Sequence, residues 1–456
     1  TPGPGGGLYR DGAGPQPARA QFHLVREALA ERAILLRIAP HLVHPLRTVV
    51  PAYSLGAALF YRIGLWIYDR AAGEAAIGRS HFLARAAMLR SFPHLRRKGL
   101  RGGVAYYDGQ FDDARMNATL ALTAAREGAV LANRVEATAL RDADGRIAGA
   151  RVRDAVHGHE FEVRARVVVN AAGPGSDAIR CLEDPHAQPL LEVSRGTHFA
   201  LDRAWAPGED GLLIPKTSDG RVLFLLPWEG RAIAGTTDVG VEATGDSRPS
   251  ADEVDYLFGQ LAEWLDPAPA REDLRAVWAG LRPLIAEGAH GTARIVREHH
   301  VAVGPKGLVS IAGGKWTTYR LMAEETVDRA IETAGLKARS GCRTHELPLV
   351  GAGDYRAELA DELAEAHDLD RDIAVHLARA YGGLAATLLA EAEAHGKRRL
   401  AQGYPYIEAE VLWARRHEMA LTAEDVLARR LRLAFLDEAA AAAARPCVEA
   451  LLHAAR

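Results

Sequence analysis

Cysteine is scarce in this chain, with three in 456 residues, at Cys181, Cys342 and Cys447. Their wide separation argues against a disulfide framework or a cysteine zinc site and fits a reducing compartment. No charge of one sign dominates. Lys and Arg number 56 against 59 Asp and Glu, a formal net charge of −3, so nothing indicates a nucleic-acid partner. No internal repeat is present, and no leader-like segment is visible in the sequence as it stands. Low complexity is confined to the alanine run 439–444, which extends a helix rather than breaking it. No apolar run reaches spanning length. The most apolar stretch, residues 51–68 (PAYSLGAALFYRIGLWIY), falls short of the roughly 20 apolar residues a span needs and carries Arg62 near its middle. It is expected as a buried helix. The alternative is a helix lying on a membrane surface, with Trp66 and the tyrosines at the interface.

The residues present call for two or three domains. Residues 1–20 are rich in Gly, Pro and Ala without periodicity and are expected to be irregular. Residues 21–39 predict a helix with Val25, Ala28, Leu29, Ala33 and Leu36 on one face, stopped by Pro40. Another helical stretch covers 81–100 and ends in a solvated basic run, Arg96-Arg97-Lys98. Asp112 reads as an N-cap, Asp113 favours the first turn, and that helix runs to Glu127 and stops at Gly128. A short strand is expected at 130–133 and antiparallel strands over 135–169, with an Asp144-Gly145 hairpin turn. His157 and His159 flank a second turn. No further ligands lie at fitting spacing, so both read as exposed turn residues and no metal is expected.

Two small-residue junctions read together as a cofactor site, the alternative for each being an ordinary strand-to-helix turn. In residues 310–320 (SIAGGKWTTYR) a short apolar strand, 307–311, ends in Gly313-Gly314, and a helix then runs to about Ala334. Glycines let backbone approach a phosphate or a flat ring, helix-start N–H groups point at it, and Lys315 adds positive charge. In residues 166–178 (RVVVNAAGPGSDA) a continuous valine run reads as a buried parallel strand entering a second such turn. Between the junctions, about 192–303 is β-rich. It has strands at 195–201 carrying His198, at 220–228 and at 232–238, and a helix over 250–265 with a Ser250/Glu253 capping box. Residues 343–456 predict a separate bundle, with helices at 354–367, 370–380, 383–394, 406–417, 422–436 and 446–455. Its role would be packing, oligomer contact or covering the active site. Arg429, Arg430 and Arg432 read as a solvated helix face.

The segments FHLVREALAER with APHLVHPL, YYDGQFDDAR, NAAGP, RGTHF, FLLPWEG with GTTD, GLRPL, GGKWTTYR and LTAEDVLARRLRL occur in that order. Together they resemble the FAD-dependent, quinone-linked glycerol-3-phosphate dehydrogenases, of the D-amino-acid-oxidase-like flavoprotein group. The resemblance covers about residues 21–436. It implies an α/β plus α fold. Residues 21–342 would form a D-amino-acid-oxidase-like FAD-dependent oxidoreductase domain, with an incomplete Rossmann-type sheet and a β-rich cap. Residues 343–456 would form an all-α domain.

The implied activity is oxidation of sn-glycerol 3-phosphate to dihydroxyacetone phosphate by hydride transfer to FAD, with quinone as acceptor. The resemblance also implies a cytoplasmic protein peripheral on the inner face of the membrane, and it admits a homodimer. Implied FAD contacts are Val135, Ala171, Ala172, Gly173, Gly313, Gly314, Lys315, Thr317 and Thr318. Implied substrate contacts are Arg282, Arg297, Tyr9 and Arg10, since guanidinium forks suit a phosphate dianion. His198 would be the base, with a pKa near neutrality, and Lys315 would stabilise developing negative charge. The alternatives are a glycerol-3-phosphate oxidase or other flavoenzyme of this group, and an inactive truncated homologue. The family opens with a strand, a GxGxxG turn and a helix that hold the FAD pyrophosphate. TPGPGGG at 1–7 has no such strand and helix around it. Gly6-Gly7-Leu8-Tyr9-Arg10 matches only the stretch C-terminal to that unit, with its last two residues swapped. Crippled FAD binding and impaired folding of the first domain are the resulting expectations.

Overall fold

The structure, a computed structural model, describes residues 18–243, 247–286, 299–392 and 396–454. The irregular start expected at 1–20 and the altered Gly6–Arg10 segment therefore fall almost wholly outside the described residues. Helix α1 (Ala18–Ile38) ends just before Pro40. Strand β1 (His44–Ala52) comes next and takes Pro51, which the sequence pattern assigns to a helix. Ser54 then caps α2 (Leu55–Ala72) by accepting from the Ala57 N–H.

Helix α2 is not the buried helix expected. Leu55, Leu59, Phe60, Ile63, Trp66 and Ile67 range from 77% to 49% exposed. Only Leu65 and Ala72 of this helix are buried. Apolar composition says that a helix favours leaving water; it does not say what covers it.

The helix expected over 81–100 divides. His81–Ala84 is a strand (β2) paired to β3, and only Arg85–Ser91 (α3) is helical. Pro93 stands just beyond, and a residue preceding proline is disfavoured in helix. Arg96, Arg97 and Lys98 are exposed, as expected. Strand β3 (Gly102–Gln110) pairs antiparallel along the whole of β1. Asp112 caps α4 (Asp113–Arg126) by accepting from the Ala114 and Arg115 N–H groups. Residues 130–133 form no strand; Val130 is 98% exposed and nothing there pairs. The hairpin does form, from β4 (Val135–Ala143), β5 (Arg146–Asp154) and β6 (Glu160–Arg164), as a separate antiparallel sheet. His157 and His159 are exposed at its second turn.

The valine run contributes only Val169–Asn170 (β7) to a strand, with Val169 exposed rather than buried. A turn at Gly173–Gly175 leads into α5 (Ser176–Glu183). The β-rich region comprises β8 (Leu191–Asp202), β9 (Gly211–Ile214), β10 (Leu223–Trp228), β11 (Arg231–Gly235), β12 (Val239–Val241), α6 (Ala251–Trp264) and β13 (Leu274–Ile285). Its sheet is nine-stranded and recruits β1, β3 and β2 from upstream, in the order β12-β8-β11-β10-β9-β1-β3-β2, with β13 on the other edge of β8. A three-stranded sheet, β14 (His299–Val303), β15 (Val309–Gly313) and β7, precedes α7 (Tyr319–Thr333).

The remaining helices are α8 (Leu359–His367), α9 (Arg371–Tyr381), α10 (Ala385–Glu391), α11 (Glu408–His417), α12 (Ala423–Leu427), α13 (Leu433–Leu436) and α14 (Glu438–Ala454). The helix expected over 422–436 is broken, with Arg432 left-handed at φ 63°. The last helix starts at Glu438 and keeps Pro446 in its interior. Sequence alone favours Pro446 as a helix start because proline fits a first turn.

Alternation along β8 divides the molecule. Phe199 and Leu201 face one way, into a core with Leu257 and Leu261 of α6. Ala200 faces the other way and, with Ile233 and Ala276, joins a core of Tyr406, Val426 and Leu433. The C-terminal helices are thus packed onto the cap sheet rather than standing apart. The buried ion pair Arg115–Glu418 (2.6 Å) ties α4 to the same helices. Arg432 is not solvated either. Its guanidinium lies over the Phe435 and Trp228 rings, 4.4 and 5.5 Å from their centroids, and pairs with Asp113 at 3.1 Å.

Candidate active site

His198, Gly196 and Ser194 share one face of β8, and on β13 they pair with Trp278, Gly280 and Arg282. Cross-strand partners on one face lie within side-chain reach. The His198 and Trp278 rings stack at 5.8 Å and 12°. Two glycines make the room. A Cβ on Gly235 of β11 would stand 2.1 Å from the His198 ring, and a Cβ on Gly196 would stand 2.0 Å from the Arg282 guanidinium. The GTTD segment then grips Arg282. Thr236 Oγ1 accepts from Nη2 at 2.7 Å, the Thr237 carbonyl accepts from Nη1 at 3.1 Å, and Asp238 lies 3.6 Å away.

Beneath them is a buried carboxylate that sequence reading identifies only as part of a capping box. Glu253 does close that box with Ser250. Its Oε1 also accepts from Thr197 Oγ1 (2.9 Å) and Thr237 Oγ1 (2.8 Å), and its Oε2 pairs with Arg195 at 2.7 Å. Burial pushes the Glu253 carboxyl up. The donors from Ser250, Thr237, Arg195 and Thr197 outweigh that and hold its pKa at about 2. Glu253, Arg195 and Trp278 are the residues sequence reasoning missed. Their polarity and size were visible, but their convergence required the sheet register.

His198 departs from the near-neutral pKa expected for a base. Burial, with the Arg282 and Arg432 guanidinium charges adding to it, lowers its pKa to about 3. The Gly196 backbone beside the ring works weakly against this, and the buried Nδ1 has no well-aligned hydrogen-bond partner among the described residues.

The two glycine junctions meet in the other sheet. Strands β7 and β15 run parallel, with Val309 opposite Val169 and Ser310 opposite Asn170, so both junctions leave the same, carboxyl end. Crevices at such strand ends are where open α/β sheets hold ligands. Asn170 locks the pair by donating to Ser310 Oγ (3.2 Å) and to the Ser176 carbonyl (2.9 Å). Gly173, Gly313 and Gly314 have φ of 57°, 72° and 85°, which disfavour other residues. A Cβ at Gly173 would point into open space. Ala171 and Ala172 are exposed, Lys315 is half-buried before the Trp316–Thr318 turn, and Thr317 and Thr318 are buried there. Neither short turn, 173–175 or 316–318, has a side-chain cap, so its first N–H groups are not claimed by one.

Strand β13 joins the two halves, packing against β15 and the Gly173–Gly175 turn. Val135 stands on β4 in the separate sheet, whose strand β4 packs against α5, the helix that follows the Gly173–Gly175 turn. Arg297, Tyr9 and Arg10 lie outside the described residues. No group of three or more metal-ligating side chains occurs among the described residues.

Residues 2–328 match the family model for FAD dependent oxidoreductases, and residues 342–455 match that for the C-terminal domain of alpha-glycerophosphate oxidase. The chain is 43% identical over 432 residues to a probable mitochondrial glycerol-3-phosphate dehydrogenase of Caenorhabditis elegans, covering 92% of this chain and 60% of that protein. It is 42% identical over 447 residues to the mitochondrial glycerol-3-phosphate dehydrogenase of Rattus norvegicus, covering 95% and 61%. A third relative, a mitochondrial glycerol-3-phosphate dehydrogenase of Arabidopsis thaliana, is 41% identical over 455 residues, covering 94% and 72%. The chain thus spans about 60% of the length of the first two of these relatives. The crystal structure of the Bacillus halodurans glycerol-3-phosphate dehydrogenase complexed with FAD superposes with a TM-score of 0.74 at 25% identity, covering 94% of this chain and 85% of that one. With both family models matched and this identity sustained along the chain, the protein belongs to the FAD-dependent glycerol-3-phosphate dehydrogenase family.

Proposed function

We propose that the chain binds FAD at the paired glycine junctions and oxidises sn-glycerol 3-phosphate to dihydroxyacetone phosphate at the adjoining cap face. The observation that carries this is the placement of His198 and a clamped Arg282 on one sheet face, joined by β13 to the junctions. The junction residues fit the flavin-bearing part of FAD. Gly173 leaves open space, Gly313 and Gly314 hold the positive φ of the turn, with Met322 packed where a Gly314 side chain would stand, and Lys315 brings a cation to the same strand end. Ala171, Ala172, Thr317 and Thr318 complete the cradle. When bound, FAD supplies the hydride acceptor.

The remaining work falls to side chains. Arg282 receives the phosphate dianion, its guanidinium pre-oriented by Thr236 and Thr237, so little side-chain freedom is lost on binding. His198 is neutral at physiological pH and is therefore in the form that accepts the hydroxyl proton. Burial is the main cause of the depressed His198 pKa; a dianion beside Arg282 would offset the smaller share due to that guanidinium and raise His198 basicity when substrate is present. Lys315 favours negative charge developing at the flavin edge. Arg297, Tyr9 and Arg10 remain proposed substrate contacts on the sequence resemblance alone.

Quinone is the proposed acceptor. The exposed apolar face of α2 supports a peripheral contact with a lipid surface, where quinone dissolves. Trp66 and the aliphatic residues would enter the headgroup boundary, and Arg62 and Arg70 would meet anionic lipid. The visible spectrum of the protein with FAD, before and after anaerobic glycerol 3-phosphate, tests the reading. Bleaching of bound flavin is expected; a bound flavin that stays oxidised overturns it.

A further inference from the structure

The sheet face that carries His198 is the face the C-terminal domain covers. Moving along it, Ala200, Ile233 and Ala276 lie under the C-terminal helices, and Trp278 packs against that core. His198, Gly196 and Arg282 come after them in register. The covering ends in a ladder of rings. Phe435 of α13 stacks on Trp278 at 5.3 Å and 24°, and Trp278 stacks on His198 at 5.8 Å and 12°. The Arg432 guanidinium, which Asp113 anchors, also lies over the Phe435 ring. On the opposite side His198 rests against Gly235.

Histidine in a catalytic role is ordinarily oriented by a hydrogen bond to its second nitrogen. His198 Nδ1 is buried without such a partner among the described residues. The Gly196 backbone touches the ring, but the broad support of its plane is stacking. We infer that Phe435 is a positioning residue for His198, acting through Trp278, so that the C-terminal domain supplies one wall of the active site. This also assigns work to the LTAEDVLARRLRL motif. Its break at Arg432 turns the chain so that the next four residues present Phe435 to Trp278.

The inference rests on the proposed role of His198, and the test separates the two. Phe435 is only half-buried, so Phe435→Leu keeps apolar volume while removing the aromatic face. Phe435→Tyr keeps the face. With FAD, glycerol 3-phosphate and a dye acceptor, kcat of Phe435→Leu is expected to fall roughly 10- to 100-fold, the scale of a misplaced catalytic group, with KM changed less than about twofold. Phe435→Tyr should restore it. Independently of turnover, the His198 ring proton resonances, displaced by the Trp278 ring current, should shift in Phe435→Leu and return in Phe435→Tyr. Unmoved His198 resonances in Phe435→Leu overturn the inference, whatever the activity. If the wild type with bound FAD shows no turnover while the resonances shift as expected, the functional reading fails and the positioning stands.

Discussion

Adjacent residues of β8 do opposite kinds of work. Phe199 and Leu201 point into an apolar core against α6 and are fully buried. Ala200 and His198 point the other way, where C-terminal helices cover the strand as far as Trp278 and leave the rest to the site. On the first face, tolerance is limited by volume. On the second, side chains are missing where space is needed: Gly196 and Gly235 leave room that Arg282 and His198 fill. One face holds the strand in place, and the other uses the precision so obtained.

The sharpest way to break this comparison is a pair of truncations. Phe199→Ala should cost about 3–5 kcal/mol in urea unfolding, as large-to-small core changes do. Arg282→Ala, one face over, should leave the unfolding midpoint nearly unchanged while lowering kcat/KM about 10- to 100-fold, mostly through KM, the scale of a lost charged hydrogen bond. Equal losses of stability from both would erase the distinction.

The next effect is acid sensitivity. His41 and His44, chiefly through burial, have pKa values lowered to about 4, and His198 to about 3. In the unfolded chain each titrates near 6.5. Below that pH the unfolded state binds protons the folded state refuses, so stability present above about pH 6.5 is lost progressively toward pH 4. His376 works in the opposite sense, since attraction to Glu410 exceeds its burial penalty and raises its pKa. Among the histidines three act against one, and Asp108 and Asp112, raised by burial, side with His376. The three depressed histidines, with two values near 4 and one near 3, predict a urea midpoint that falls between pH 7.5 and 5. A midpoint that is constant over that range would contradict it.

The smallest expected stability effect lies on α2. Ile63→Ser or Leu59→Ser should shift stability by no more than about 0.5 kcal/mol, because neither side chain is packed. The same changes should weaken sedimentation with anionic vesicles. A large loss of stability instead would mean that this face is packed against protein.

Much of the site is legible along the chain because its parts are local. The glycine pair, the NAAGP turn, the Ser250/Glu253 box and the Asp112 cap each depend on neighbours within a few residues. So do the hairpin turns and the alternation that places His198 on a strand. Long-range facts are not legible. Nothing local distinguishes an apolar helix that is covered from one that is not, which is why α2 departs from the buried helix its composition suggests. The helix over 81–100 fails because β2 gains more from pairing with β3 than from its own helical propensity.

By itself, the order of motifs determined the family, the cofactor class and the two junctions, since each is a short pattern whose chemistry travels with it. Only the tertiary structure decided that Glu253 is a hub, that His198 is depressed rather than near neutral, and that Arg432 is stacked rather than solvated. Those properties are sums over charges and rings brought together from as far apart as β8, β13 and α13, and burial strengthens every one of them.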